Sequence, residues 1–138
     1  MGSSDSAGTM ETTLVLPKVV EAYFETVNRK DFEQTVALFA EEGTLVPPFD
    51  KPIVGRDAIA AYLEKEASDM TFTPMESEPI EDTDASADTQ RFAVKGKVKN
   101  SLFIVNVGWQ FDLTESNEIE SVQVKLLASL KELLSIKR

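Results

Sequence analysis

The sequence predicts an α+β domain, and three observations carry that reading. Through the first half, apolar residues recur at intervals of three to four, the spacing of a helical face. From about residue 70 the period changes to two, the spacing of a strand with one buried face. Between two helical runs stand Pro47, Pro48 and Pro52, three prolines in six residues, which forbid a helix or a central strand there. Helices segregated from strands indicate α+β rather than an alternating βα architecture. A curved sheet wrapped around a long first helix makes a cone with an apolar interior.

The elements follow in order. Pro17 suits the first turn of a helix, and Val19, Val20, Tyr23, Phe24 and Val27 form its apolar stripe as far as Asn28–Lys30. Asp31 is an N-cap candidate for a second helix with Phe32, Val36 and Phe39 on one face, closed by Gly43 as its C-cap. A short strand at Thr44–Val46 leads into the proline segment, read as a rigid, extended loop. Asp57 lies in the first turn of a third helix carrying Ile59, Tyr62 and Leu63, which fades near Ser68–Asp69. Met70, Phe72 and Pro74 open the strand region, and 76–90 read as a long acidic loop. Phe92, Val94, Gly96 and Val98 alternate with charged residues on a half-exposed strand. Asn100-Ser101 is a tight turn, and Phe103 to Leu113 share one face of a long strand. Thr114–Glu118 makes a second turn, Val122, Val124 and Leu126 mark the last strand, and 130–136 form a short final helix. The strands are expected as a meander of four.

Length and composition exclude several functions. The 138 residues favour one domain, expected over 14–138 after a disordered tail at 1–13. With no cysteine and no histidine, there is no disulfide, no thiolate nucleophile, no Cys-based zinc site and no imidazole base. The formal charge of -10 opposes nucleic-acid binding, which needs phosphates neutralised. No apolar run approaches the ~20 residues of a membrane span. The N-terminus shows neither a basic n-region nor an apolar h-region, so a cytoplasmic address is expected. Acidic runs at 41–42 and 78–88 lack calcium-loop spacing, and no metal is expected. The Lys95, Lys97 and Lys99 stripe reads as a solvated strand face.

Four segments carry a family resemblance: AYFETVNRKDFEQTVALFAEEGTLVPPFDKPIVG (22–55), VKGKV (94–98), NVGWQF (106–111) and KLLASLKELL (125–134). In these the chain resembles the NTF2-like superfamily, which includes ketosteroid isomerases. Within it, the chain is similar to the carotenoid-binding C-terminal domain of orange carotenoid protein and to its stand-alone homologs. The resemblance implies a cone that takes the ring of a keto-carotenoid of the echinenone or canthaxanthin type. It implies that Tyr23 and Trp109 donate to the ligand carbonyl, and that Val27, Met70, Phe72, Phe103, Val124 and Leu126 line the tunnel. A helical carotenoid-binding protein is the partner it implies. Leu102 stands where that domain has a second tryptophan, and Ala67 where several stand-alone homologs have a cysteine.

The chemistry of the pair is sensible in its own right. Tyr O–H and indole N–H are donors, and a carbonyl only accepts. A Tyr on an apolar helix face and a Trp on an alternating strand are equally ordinary core residues, so pattern alone leaves both readings open. The expected function is non-enzymatic binding or carriage of a hydrophobic ligand, in carotenoid transport or photoprotection. One alternative is an NTF2-like enzyme of ketosteroid-isomerase or SnoaL type. By resemblance, however, its base falls on Pro47 and its protonated acid near Val107, and neither can transfer a proton. The other is a dimeric interaction module. Leu102, Ile104 and Asn106 form the second face of the central strand, and a homodimer through it is expected.

Overall fold

A computed structural model describes residues 14–80 and 90–127. Its elements are α1 (Lys18–Asn28), α2 (Phe32–Ala37), β1 (Phe39–Val46), β2 (Ile53–Val54), α3 (Arg56–Glu66), β3 (Thr71–Ile80), β4 (Gln90–Lys99), β5 (Ile104–Leu113) and β6 (Ile119–Leu126). The α+β class is observed: three helices with one curved, open sheet of six strands in the order β2-β1-β6-β5-β4-β3. All neighbouring pairs are antiparallel except β1 with β6, which run parallel. The expected tail at 1–13 and the final helix at 130–136 lie outside the described residues.

The local signals for the helices operate as read. Pro17 precedes α1 and its carbonyl accepts from the Glu21 amide at 2.9 Å. Asp31 caps α2 through its side chain, which accepts from the Gln34 amide. A buried pair of hydroxyls ties the two helices together. Thr35 donates to Thr26 Oγ1 at 2.8 Å, and Thr26 donates to the Ala22 carbonyl at 2.8 Å. Each buried hydroxyl is therefore satisfied, which avoids the cost of an orphaned polar group.

The second helix is shorter than expected, and the strand after it longer. α2 stops at Ala37, and Phe39 belongs to β1. Tertiary partners explain the difference. The Ile119 amide takes the Leu38 carbonyl at 2.9 Å, and Arg56 donates twice to the Phe39 carbonyl, at 3.1 and 2.7 Å. Both groups are thereby withdrawn from the helix. Gly43 is not a C-cap. It sits in an irregularity of β1, where a Cβ would come within 3.0 Å of the Ile119 carbonyl oxygen. Only glycine permits that approach of the β1 backbone to β6.

Three further corrections concern loops. The proline segment is not simply extended: it turns back, so that Thr44 pairs with Val54 and Leu45 with Ile53. Residues 76–80 are strand rather than loop, continuing β3 past a bulge between Pro74 and Glu76. The expected four-strand meander is β3 to β6, but it is extended by β1 and β2 on the β6 side. The Asn100 turn forms as read, with Oδ1 accepting from the Leu102 and Phe103 amides at 2.7 and 2.9 Å. So does the Thr114 turn, closed by Thr114 N–H to the Glu118 carbonyl at 2.8 Å.

The core lies between the helices and the inner face of the sheet. Val20, Val27, Phe39, Ile59, Phe111, Leu113, Ile119 and Val122 are fully enclosed there. Alternation along β5 is strict from Val107 to Leu113, where odd positions are buried and even ones partly exposed.

Candidate ligand-binding site

A cavity of about 170 Å³ opens within the cone. α1 contributes Tyr23. α3 contributes Tyr62, Leu63 and Glu66. β5 contributes Val105, Val107 and Trp109. Pro47 and Pro48 come from the proline loop, Phe72 from β3, and Val124 and Leu126 from β6. The lining is mostly apolar.

An aromatic cluster packs around Tyr23 and Trp109. The Tyr23 ring meets Phe111 edge-on at 5.2 Å and Phe24 at 5.3 Å, and Phe24 meets Trp109 edge-on at 4.8 Å. Such T-shaped contacts fix ring orientation as well as contributing dispersion. Trp109 also lies 6.4 Å from Phe72. Phe72 is itself pinned by Asn28, whose amide exchanges two hydrogen bonds with its backbone.

Tyr23 and Trp109 are both buried, at 3% and 2% exposure. Among the described residues, neither the phenol nor the indole N–H has a hydrogen-bond partner. An unsatisfied buried donor costs about 1–3 kcal/mol, so most native donors find an acceptor. Burial pushes the Tyr23 pKa far above the ordinary phenol range, and the neighbouring Tyr62 adds to it. Tyr23 is thus held as a neutral donor. Tyr62 is raised as well, by burial first and then by Glu66 and Asp50.

The residues expected at the site distribute unevenly. Tyr23, Trp109, Met70, Phe72, Phe103, Val124 and Leu126 all border the cavity. Val27 is fully buried on the same helix as Tyr23 but does not border it. Phe103 precedes β5 instead of lying in it and is 42% exposed, a rim position. Pro47 and Val107, the two places an isomerase would need proton-transfer groups, also border the cavity. Leu45, Tyr62, Leu63, Glu66 and Val98 line it without having been singled out for it. Tyr62, Leu63 and Val98 carried the signal of helix face or strand parity. Glu66 carried none beyond lying one turn after Tyr62. Among the described residues no group of acidic side chains is arranged to hold a metal ion, and no helix is long and apolar enough to cross a membrane.

Comparison with known proteins places this geometry. The family model of the SnoaL-like domain matches residues 20–114. The orange carotenoid-binding protein of Limnospira maxima is 38% identical over 128 residues, which is 88% of this chain and 39% of that protein. The chain thus spans about two-fifths of the length of the curated relatives it matches. The structure of the Anabaena (Nostoc) sp. PCC 7120 orange carotenoid protein binding canthaxanthin superposes with a TM-score of 0.78 at 30% identity, over 91% of this chain and 43% of that one. A ketosteroid isomerase-like protein from Erwinia carotovora atroseptica shares the fold, with a TM-score of 0.60 at 22% identity over 86% of this chain and 98% of that one. The resemblance to orange carotenoid protein carried by the sequence motifs is therefore found over most of the domain. The chain belongs to the SnoaL-like family, on the NTF2-like fold.

Proposed function

We propose that this chain is a non-enzymatic binding or carrier protein for a hydrophobic ligand with a carbonyl end, a keto-carotenoid of the echinenone or canthaxanthin type, serving transport or photoprotection. One observation carries the reading: two buried donors, Tyr23 and Trp109, border one apolar cavity and have no acceptor among the described residues. A carbonyl oxygen has two lone pairs and can accept from both. The similarity to orange carotenoid proteins supports the same ligand class. The partners that fit are a second copy, through Ile104 on the outer face of β5 and Leu102 in the turn before it rather than in the strand, and a helical carotenoid-binding protein.

The test is co-expression in cells making echinenone or canthaxanthin, followed by a visible spectrum of the purified protein. A bound pigment band is expected. A colourless protein overturns the reading. In a coloured protein, Tyr23→Phe combined with Trp109→Phe should blue-shift the band or abolish loading.

One observation favours a second reading, proton transfer of ketosteroid-isomerase type. Glu66 borders the cavity beside Tyr62, whose pKa it helps to raise. Pro47 and Val107 argue against it, since neither offers a titratable group. Turnover of a β,γ-unsaturated ketosteroid that disappears in Glu66→Gln would establish this alternative.

A further inference from the structure

α1 closes in a turn whose left-handed position is held by Lys30. The Lys30 amide donates to the Val27 carbonyl at 3.2 Å, and the Asp31 amide donates to the Thr26 carbonyl at 2.9 Å. In this pattern the residue after the helix cap takes a positive φ and is usually glycine, sometimes asparagine. Lys30 stands there at φ +65°. A lysine in that conformation is disfavoured against glycine, so the local backbone does not account for it. Its side chain does.

The ammonium reaches away from α1 and donates to the Ala67 carbonyl at 3.3 Å and to the Met70 carbonyl. Ala67 is the C-cap of α3, at the negative end of that helix. The same nitrogen lies 5.9 Å from the centre of the Phe72 ring, a cation over an aromatic face. Asn28, on the last turn of α1, holds the Phe72 backbone through both atoms of its amide. One helix end therefore grips Ala67, Met70 and Phe72 together. β3 is an edge strand, paired with β4 alone, so these contacts stand where a neighbouring strand would.

Ala67, Met70 and Phe72 border the cavity, whereas Asn28 and Lys30 do not. The grip is applied from behind the wall. Phe72 in turn stands 6.4 Å from Trp109, so a displaced segment changes the space beside the indole.

We propose that Lys30 is a positioning residue: from outside the cavity it fixes where segment 67–72 stands, and with it the width of ring the cavity admits. The width rests on the carbonyl-binding reading of the cavity; the position of the wall does not. Lys30 thereby sets specificity without touching the ligand.

The test compares Lys30→Gly, which removes the ammonium and relieves the backbone, with Lys30→Met, which removes only the charge, and Lys30→Arg, which keeps a cation and its donors. Amide hydrogen exchange in the ligand-free protein reads the wall directly. In Lys30→Gly and Lys30→Met the amides of Ala67, Met70 and Phe72 should exchange at least about tenfold faster while those of β5 stay unchanged. Lys30→Arg should keep wild-type protection. Trp109 is the only tryptophan in the chain and borders the cavity, so its fluorescence reads the width through titration with cyclohexanone and the bulkier adamantanone. The ratio of the two Kd values should shift about fivefold toward adamantanone in Lys30→Gly and stay at the wild-type value in Lys30→Arg. A lysine that only stabilises the fold would lower the thermal midpoint and leave the exchange pattern and the ratio as they are, and that result overturns the proposal. Faster exchange with an unchanged ratio overturns the role in specificity alone. If wild type binds neither ketone, the carbonyl-binding reading falls, and the exchange measurement by itself decides whether Lys30 positions the wall.

Discussion

The amide of Asn28 and the backbone of Phe72 form a closed pair: Nδ2 donates to the Phe72 carbonyl at 2.8 Å, and the Phe72 amide donates to Oδ1 at 2.7 Å. β3 is an edge strand of the sheet. One side chain at the end of α1 thus supplies what a neighbouring strand would, at the residue whose ring borders the cavity. Asn28→Asp keeps the acceptor, loses the donor and sets a carboxylate against a carbonyl. A loss of about 1–3 kcal/mol is expected in urea unfolding. An unchanged midpoint would show that the pair contributes nothing.

Tyr23→Phe separates a ligand-binding hydroxyl from a structural one. The phenol has no partner among the described residues, so its removal should leave the ligand-free protein as stable or raise its stability by up to about 1 kcal/mol. The same change should weaken a bound cyclic ketone by about 1 kcal/mol, or roughly fivefold. Trp109→Phe should weaken it similarly but also destabilise the fold, because it leaves a void against Phe24 and Phe72. Thermal unfolding and titration with a cyclic ketone read the two effects separately.

Alkaline pH should destabilise the fold through its two tyrosines. Both Tyr23 and Tyr62 have pKa values raised above the ordinary 10.0 by burial. Their contribution is complete below about pH 10, where the phenols are neutral in both states. As pH rises past that point the unfolded chain ionises first, so stability falls. Tyrosinate absorbance should therefore appear together with loss of the folded state. A tyrosinate signal from the intact fold at pH 10–11, reporting both tyrosines in full, would contradict this.

Gly96 should tolerate no side chain. A Cβ there would lie 2.1 Å from the Thr73 carbonyl oxygen and 2.9 Å from Pro74 Cα, both backbone atoms of the bulged edge strand. Gly96→Ala must displace β3 and is expected to cost about 1–3 kcal/mol or more. Because β3 carries Phe72, ligand affinity should fall as well. Equal denaturation midpoints for the two proteins would refute the close approach.

Lys30 illustrates why part of the architecture is illegible in a sequence. It ends the first helical region at φ +65°, donates to the Ala67 and Met70 carbonyls, and lies 5.9 Å from the Phe72 ring. Burial lowers its pKa, with Asp69 opposing the shift. Nothing at positions 28–31 announces partners about forty residues away. Phe39 is the same problem in reverse. Its helical spacing was real, but Arg56 and Ile119 hold the backbone around it in the sheet.

The sequence by itself determined the α+β class, the order of the helices and the longer strands, the capping of the second helix, the two turns at Asn100 and Thr114, and the inward face of β5. These are local matters of period, proline and side-chain hydrogen bonding, decided within a few residues. The family resemblance named Tyr23, Phe72, Val124 and Trp109, which border the cavity, whereas strand parity and helix face by themselves left them equally readable as core. Only the tertiary structure decided that β1 joins β6 in parallel, that the proline loop folds back, and that Glu66 reaches the cavity. Those depend on how close distant backbones come, which is set by the volume of packed side chains and the bulges at Gly43 and opposite Gly96. A period in the sequence fixes which side a residue faces; it carries no measure of the space in front of it.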